Sequence, residues 1–314
     1  MLFVTPAKYS FKGGVEMKKY TPVTKYPLIK SDGWKKLTGE LPVKMTNDYL
    51  FRALLQSDNE TLKAILASVL HKDINEIRSA MITNECLLGE EINSKEFILD
   101  VNVVLNDNEV TDLEMQVIKE LFWNDRSLSY ICRSYDKLNR GMAYAEAKPV
   151  RQITFCDFTL FGKYPEFHST YKVLNTKHPE VVYSEKLIIS NIDLTRIDLA
   201  TEEDRKFKTD KWARFFKAKT WEDMNMLAEK DETIGNAISG VWQLTEEEMI
   251  RERCRAREEW IINDNWKNEM MEKLKTENER QKIEIDQQRA ENKQQKEQIE
   301  NLRSEIERLK TESR

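Results

Sequence analysis

The stretch 97-FILDVNVVLNDNEVTDLEMQV-117 decides how the rest of the chain is read. Leu99, Val101, Val103 and Leu105 alternate with Ile98, Asp100, Asn102 and Val104, and the run breaks at Asn106-Asp107-Asn108. Leu113, Met115 and Val117 then alternate with Asp112, Glu114 and Gln116. A period of two on both sides of a turn-forming cluster signals a β-hairpin. A symmetric three-residue turn sets Leu105 opposite Glu109, and so Asp100 opposite Glu114. Directly opposed residues share a sheet face. One face then carries Asp100, Asn102, Val104, Val110, Asp112, Glu114 and Gln116; the other carries Leu99, Val101, Val103, Leu105, Leu113, Met115 and Val117. A two-residue turn separates Asp100 from Glu114, and the apolar pattern argues against that register.

Opposed carboxylates repel, so the pair needs a reason. One reason is a divalent cation. Mg²⁺ is typically held by one or two carboxylates, with waters and substrate phosphate completing the octahedron. Such an ion orients an attacking water and offsets charge on a phosphodiester transition state. The spacing also fits a plainer reading, a solvated hairpin face with scattered charges.

Outward from the hairpin, the chain alternates helical and strand patterns. Thr46-Asn47-Asp48 opens a helix whose apolar positions run from Leu50 to Leu70 and which ends at His71-Lys72-Asp73. A helix over 123–140 follows the hairpin, with Gly141 as its left-handed cap. Strands are expected over 151–161, 168–174 and 184–193, and helices over 207–219 and 221–227. Helix formers then continue almost unbroken from Glu246 to the end. Helix, hairpin, helix and further strands make an α/β (α+β) domain with a mixed sheet.

Composition narrows the function classes. The 314 residues carry 33% charged side chains, only 9 glycines and a net charge of −5. That charge is a weak argument against avid nucleic-acid binding, though it leaves room for a local basic groove. No window approaches the about 18 apolar residues of a membrane span. No basic-then-apolar leader opens the chain, so a cytoplasmic location is expected. Cys86, Cys132, Cys156 and Cys254 show no close pairing and read as reduced thiols. His71, His168 and His178 form no metal-binding helix motif and no evident triad. Met17-Lys18-Lys19 resembles a bacterial start, which makes Met17 an alternative first residue.

From Leu274 onward the spacing alternates four and three. Leu274, Gln281, Gln288, Gln295, Leu302 and Leu309 take d positions; Asn278, Ile285, Asn292, Ile299 and Ile306 take a positions. Ile at a with Leu at d favours parallel dimers, and buried Asn at a fixes register at a cost in stability. If fully helical, residues 266–314 form a rod of about 74 Å. A homodimer through 266–314 is expected.

The order of motifs from Asn47 to Phe161 resembles the Rpn recombination-promoting nucleases, also described as PD-(D/E)XK nuclease family transposases. Asn47-Asp48-Tyr49-Leu50-Phe51-Arg52 resembles that family's N-D-x-x-F-K opening, and Asn84-Glu85 a following strand start. Leu99-Asp100-Val101 matches its l-D-v strand, and Glu114-Met115-Gln116 its E-x-Q signature. Arg126, Tyr130 and Tyr135, then Gly141, Tyr144, Pro149-Val150 and Ile153, fit the blocks that follow. The resemblance covers about residues 45–220 and rests on order and spacing, since no single motif is specific.

What the resemblance implies is a restriction-endonuclease-like mixed sheet flanked by helices, and Mg²⁺-dependent (or Mn²⁺-dependent) cleavage of DNA, with RNA a second possibility. Asp100 and Glu114 are then the metal ligands. Gln116 stands where the wider superfamily has a lysine; it cannot supply a positive charge, but it can position water or phosphate by hydrogen bonds. Asp48 becomes a further acidic contributor, or simply a helix cap. Arg52, in place of the usual lysine, and Arg126 become phosphate contacts, with structural ion pairing the alternative for Arg126. The aromatic-interleaved basic stretch 205–219 fits either a DNA grip or, from its helical spacing, core packing with a solvated basic face. The expected organisation is an irregular leader over 1–40, the nuclease-like domain over 41–235, a helical linker over 236–265 and a coiled coil over 266–314. The second functional reading is a catalytically weak or inactive nuclease fold that serves as a coiled-coil interaction module.

Overall fold

A computed structural model of the chain describes residues 8–10, 16–18, 28–83, 101–106, 108–119, 122–136, 143–229 and 231–312. Asp100, Asn84, Glu85 and Gly141, named above, lie outside these residues. The described residues divide into two units, 1–260 and 261–314.

The first unit is built on a six-stranded mixed sheet. Its strands, after a small β1–β2 hairpin (Lys8–Ser10 and Glu16–Lys18), are β3 (Ala80–Ile82), β4 (Val101–Leu105), β5 (Glu109–Gln116), β6 (Val150–Cys156), β7 (His168–Leu174) and β8 (Val182–Asp193). Their spatial order is β3-β4-β5-β6-β8-β7. The β5/β6 and β6/β8 pairs are parallel and the others antiparallel. The β4/β5 register pairs Leu105 with Glu109 and Val101 with Leu113, as a symmetric three-residue turn requires. Asn106 takes a left-handed backbone at φ 48°. Its Oδ1 accepts from the Arg78 and Ser79 backbone N–H groups at 2.8 and 3.1 Å. An asparagine tolerates that conformation and stitches the turn to the chain entering β3.

The expected first helix is two. Helix α1 (Asp48–Ser57) is capped by Asn47, whose side chain accepts from the Tyr49 and Leu50 N–H groups. At Asp58 the carboxylate accepts from Glu60 N and Thr61 N, which starts α2 (Asn59–Val69). A side chain that offers its own acceptor competes with the next turn of helix, and here it wins. After the hairpin, α3 spans Trp123–Tyr135. The expected helix over 207–219 corresponds to α5 (Thr209–Lys217); the short α4 (Glu202–Lys206) precedes it without having been expected, and the two are parted at Lys208, whose φ is 64°. Helices α6 (Trp221–Ala228) and α7 (Glu232–Glu246) follow, and α8 runs from Glu248 to Glu312.

The two sheet faces are covered differently. Leu113, Met115, Ile153, Phe155 and Ile192 face α1 and α5, where Phe51 meets Phe155 and Phe216 at centroid distances of 5.9 and 5.5 Å. Trp212, Phe215 and Phe216 are buried, so the aromatic side of the basic stretch is core. Ile234, Ala237, Ile238, Val241 and Leu244 of α7 are also in this core, so α7 is part of the body of the domain. The opposite face carries α3.

An ion pair between a buried carboxylate and two part-exposed lysines links α5 to α7. Asp231 is almost sealed, with Lys208 Nζ at 2.8 Å and Lys211 Nζ at 3.4 Å. Burial pushes its carboxyl up, but the hydrogen bond and charge of Lys208, the charge of Lys211 and a backbone bond at Ile234 outweigh that and hold it below the usual range. A depressed folded-state value contributes stability above the unfolded value of about 3.9 and loses it as the pH falls past that point. The melting temperature of the wild type is therefore expected to fall more steeply than that of Asp231→Asn below about pH 4, with the two converging at the acid end. Parallel slopes in a pH series of thermal melts contradict this.

Candidate functional site

The polar face of β5 is not solvated. Asp112, Glu114 and Gln116 are buried together with Leu113 and Met115 on the other face. Parallel pairing continues the polar face across the sheet: Asp112 lies beside Gln152, Glu114 beside Thr154 and Gln116 beside Cys156, and then Asn191 and Asp193 on β8. A lone buried carboxylate is costly, so each needs a partner. Helix α3 supplies one. Arg126 Nη2 donates to Glu114 Oε1 at 2.9 Å, and Ser127 Oγ donates to Gln152 Oε1 at 2.5 Å.

Arg126 is held from both sides. Its guanidinium carbon lies 5.2 Å from the Trp123 ring centroid and 5.5 Å from that of Tyr130. Residues three and four apart on a helix share a face, so the sequence of α3 itself builds this aromatic clamp. The Arg126 side chain keeps 31% of its surface exposed while that of Glu114 keeps 6%. The arginine thus bridges the acidic floor of the sheet and solvent.

Gln116 is oriented as well. Its Nε2 donates to the Ile118 carbonyl at 2.7 Å, which turns Oε1 the other way. Buried Cys156, its neighbour across the strand, has its thiol pushed far up by burial first and then by the charges of Glu114 and Asp193. Burial therefore keeps this thiol protonated in the metal-free protein. Beside this thiol, the face offers carboxylate, amide and hydroxyl oxygens from Asp112, Glu114, Gln116, Thr154 and Asp193, donors that suit Mg²⁺ or Mn²⁺.

Asp48 is placed by a residue that the sequence patterns did not single out. Arg257, on α8 within the first unit, donates through Nε to Asp48 Oδ1 at 2.9 Å and Oδ2 at 2.7 Å, and its Nη2 lies 2.5 Å from Oδ2. Burial pushes the Asp48 carboxyl above its ordinary value, and Arg257 opposes that push without overcoming it. The same guanidinium lies over the Trp260 ring at 4.1 Å. One turn earlier, the Cys254 carbonyl accepts from Asn47 Nδ2 at 2.9 Å, so α8 clamps the N-terminus of α1 at two points. The Cys254 thiol is pushed up to about 12 by burial, then by Glu258 and Asp48. Arg52 is buried on α1. Glu114, Gln116 and Arg126 thus come together on one sheet face, while Asp48 is engaged by Arg257. A period-of-3.6 reading of 248–260 could have flagged an inward-facing arginine, but not its partner.

A family model described as PD-(D/E)XK nuclease family transposase matches residues 45–269. The chain belongs to this family. The matched span takes in α7 and the base of α8, including Arg257, beyond the stretch in which the motifs are legible. No curated protein and no solved structure matches the chain. The mixed sheet flanked by helices agrees with the PD-(D/E)XK fold. Membership supports a nuclease- or transposase-type function, and with it a divalent metal and a DNA substrate. Among the described residues no helix is long and apolar enough to cross a membrane.

Proposed function

We propose that this family member is a metal-dependent endonuclease that hydrolyses phosphodiester bonds of DNA in the cytoplasm. The observation that supports it most is the Glu114–Arg126 pair on a buried polar sheet face, with Gln116 on the same strand and face. The proposed metal ligands are Asp100 and Glu114. Asp100 lies outside the described residues, and its part in the proposal rests on the sequence pattern alone. When bound, Mg²⁺ would supply charge for the transition state and a site for the attacking water. Glu114 supplies a hard oxygen, and Arg126, paired with it, places a positive charge at the edge of the acidic floor where a backbone phosphate would approach. Gln116 Oε1 accepts a hydrogen bond from the water, which fixes its direction of attack. With no lysine on the strand, no general base is assigned to Gln116.

Cleavage of supercoiled plasmid in Mg²⁺ and Mn²⁺ tests this reading. Nicking that needs the metal supports it. No cleavage of plasmid or of RNA favours the second reading, an interaction module, for which the tied-down amide of Gln116 in place of a lysine is the supporting observation.

The second unit is proposed to pair two copies of the chain. It is helical throughout its described residues, and Leu274, Ile285, Ile299, Leu302 and Ile306 are 49–58% exposed. Apolar a and d positions left in water are the driving force of a coiled coil. Sedimentation of the full chain is expected to give a dimer, and that of 1–265 a monomer. Equal masses per particle, in chains, for the two forms remove the proposal.

A further inference from the structure

The other face of the sheet holds a second cluster with ligand chemistry. His168 opens β7 and pairs with Ile192, which puts it on the face away from Glu114. His71 follows α2 with a left-handed backbone at φ 50°. Asp204 comes from α4 and is buried at 2% exposure. His71 Nε2 lies 3.0 Å and His168 Nδ1 3.1 Å from the same Asp204 Oδ1. All three candidate ligand atoms lie within 4.8 Å of one another.

We propose that His71, His168 and Asp204 bind one divalent transition ion of the zinc class, at a site separate from the acidic sheet face. Two imidazoles and one carboxylate form a borderline donor set that suits Zn²⁺ and Co²⁺ and discriminates against Mg²⁺. Bonds of about 2.1 Å in tetrahedral geometry place ligand atoms about 3.4 Å apart, so separations of 3.0 and 3.1 Å need only a small expansion.

The surroundings already orient the ligands. Thr201 N and Oγ1 donate to Asp204 Oδ2 at 2.8 and 2.6 Å, which leaves Oδ1 for the cluster. The His71 ring stacks on Phe207 at 5.4 Å, and its Nδ1 points toward Glu203 Oε2 at 3.7 Å. His71 is part-exposed, which gives an ion a way in. The Nε2 of His168 is buried with no hydrogen bond among the described residues. The neutral ring therefore keeps its proton on Nδ1, against Asp204, when no cation is bound. A cation at Nδ1 moves that proton to Nε2.

The probe is Co²⁺ or Zn²⁺ added to the full chain after chelator treatment, with Mg²⁺ in excess to fill any hard-oxygen site. Expected are one equivalent of Co²⁺ per chain after gel filtration, visible ligand-field absorption and a raised melting temperature. Imidazole ¹⁵N NMR with Zn²⁺ is expected to show the His168 proton move from Nδ1 to Nε2. His71→Asn keeps a residue at ease with the left-handed backbone and removes a ligand. It and His168→Gln should lose the equivalent, whereas Glu114→Gln should retain it. The proposal is overturned if the wild type takes up no Co²⁺ against Mg²⁺, or if folded His71→Asn binds as the wild type does. The cluster is then a hydrogen-bonded clasp among α2, α4 and β7.

Discussion

Glu114→Gln is expected to lower metal-dependent nicking of supercoiled plasmid at least about 10³-fold, some 4 kcal/mol of transition-state stabilisation. The change removes one charge from the acidic face and almost no volume. The introduced amide oxygen can still accept from Arg126, whose Nη2 lies 2.9 Å from Glu114 Oε1 in the wild type. Folding should therefore change by less than about 1 kcal/mol, or about 2–4 °C in melting temperature. That pairing of outcomes separates loss of chemistry from loss of fold. Nicking that persists in the variant indicates a contaminant or a site elsewhere, and discards the proposed site.

The second large effect is on stability. Arg257→Met removes the cation that both oxygens of buried Asp48 face, at 2.7 and 2.9 Å from Nε. The side chains keep only 11% and 7% of their surface exposed, so water does not replace the lost partner. Breaking a buried pair by removing one member costs about 3–5 kcal/mol. At about 2–4 °C per kcal/mol, the first unit should melt about 6–20 °C lower. Asp48→Asn in the same chain removes the stranded charge and should restore a large part of the loss. The double-mutant cycle is the measurement, and a coupling energy near zero contradicts the argument. The wild-type pair need not be stabilising overall, because desolvation of both ions opposes their attraction.

The fold was legible where the signal is local. Alternation over 99–117 and the asparagines at its centre specified the β4/β5 hairpin and its register, because a slip by one residue would turn Leu113 and Met115 out of the core. Glu114 and Gln116 could be placed on one face for the same reason. One break was missed at Asp58, where a single cap interrupts an otherwise continuous helical pattern, and the five-residue α4 before Lys208 was too short to show a period. Periodicity averages over a window and does not register one residue that competes with the helix.

The partners were decided only by tertiary structure. Nothing near Glu114 in the chain announces that α3 covers it and delivers Arg126 to it, so the acidic face could equally be read as solvated. Asp48 and Arg257 are 209 positions apart, and His71 and Asp204 are 133 apart. Arg257 sits among Arg251, Arg253 and Arg255, and only the packing of α8 against α1 selects which of them turns inward. Local sequence determines backbone conformation and side-chain parity, because both depend on neighbours along the chain. Which charges meet, and which are removed from water, depends on how distant elements stack, and that is a property of the whole packed core.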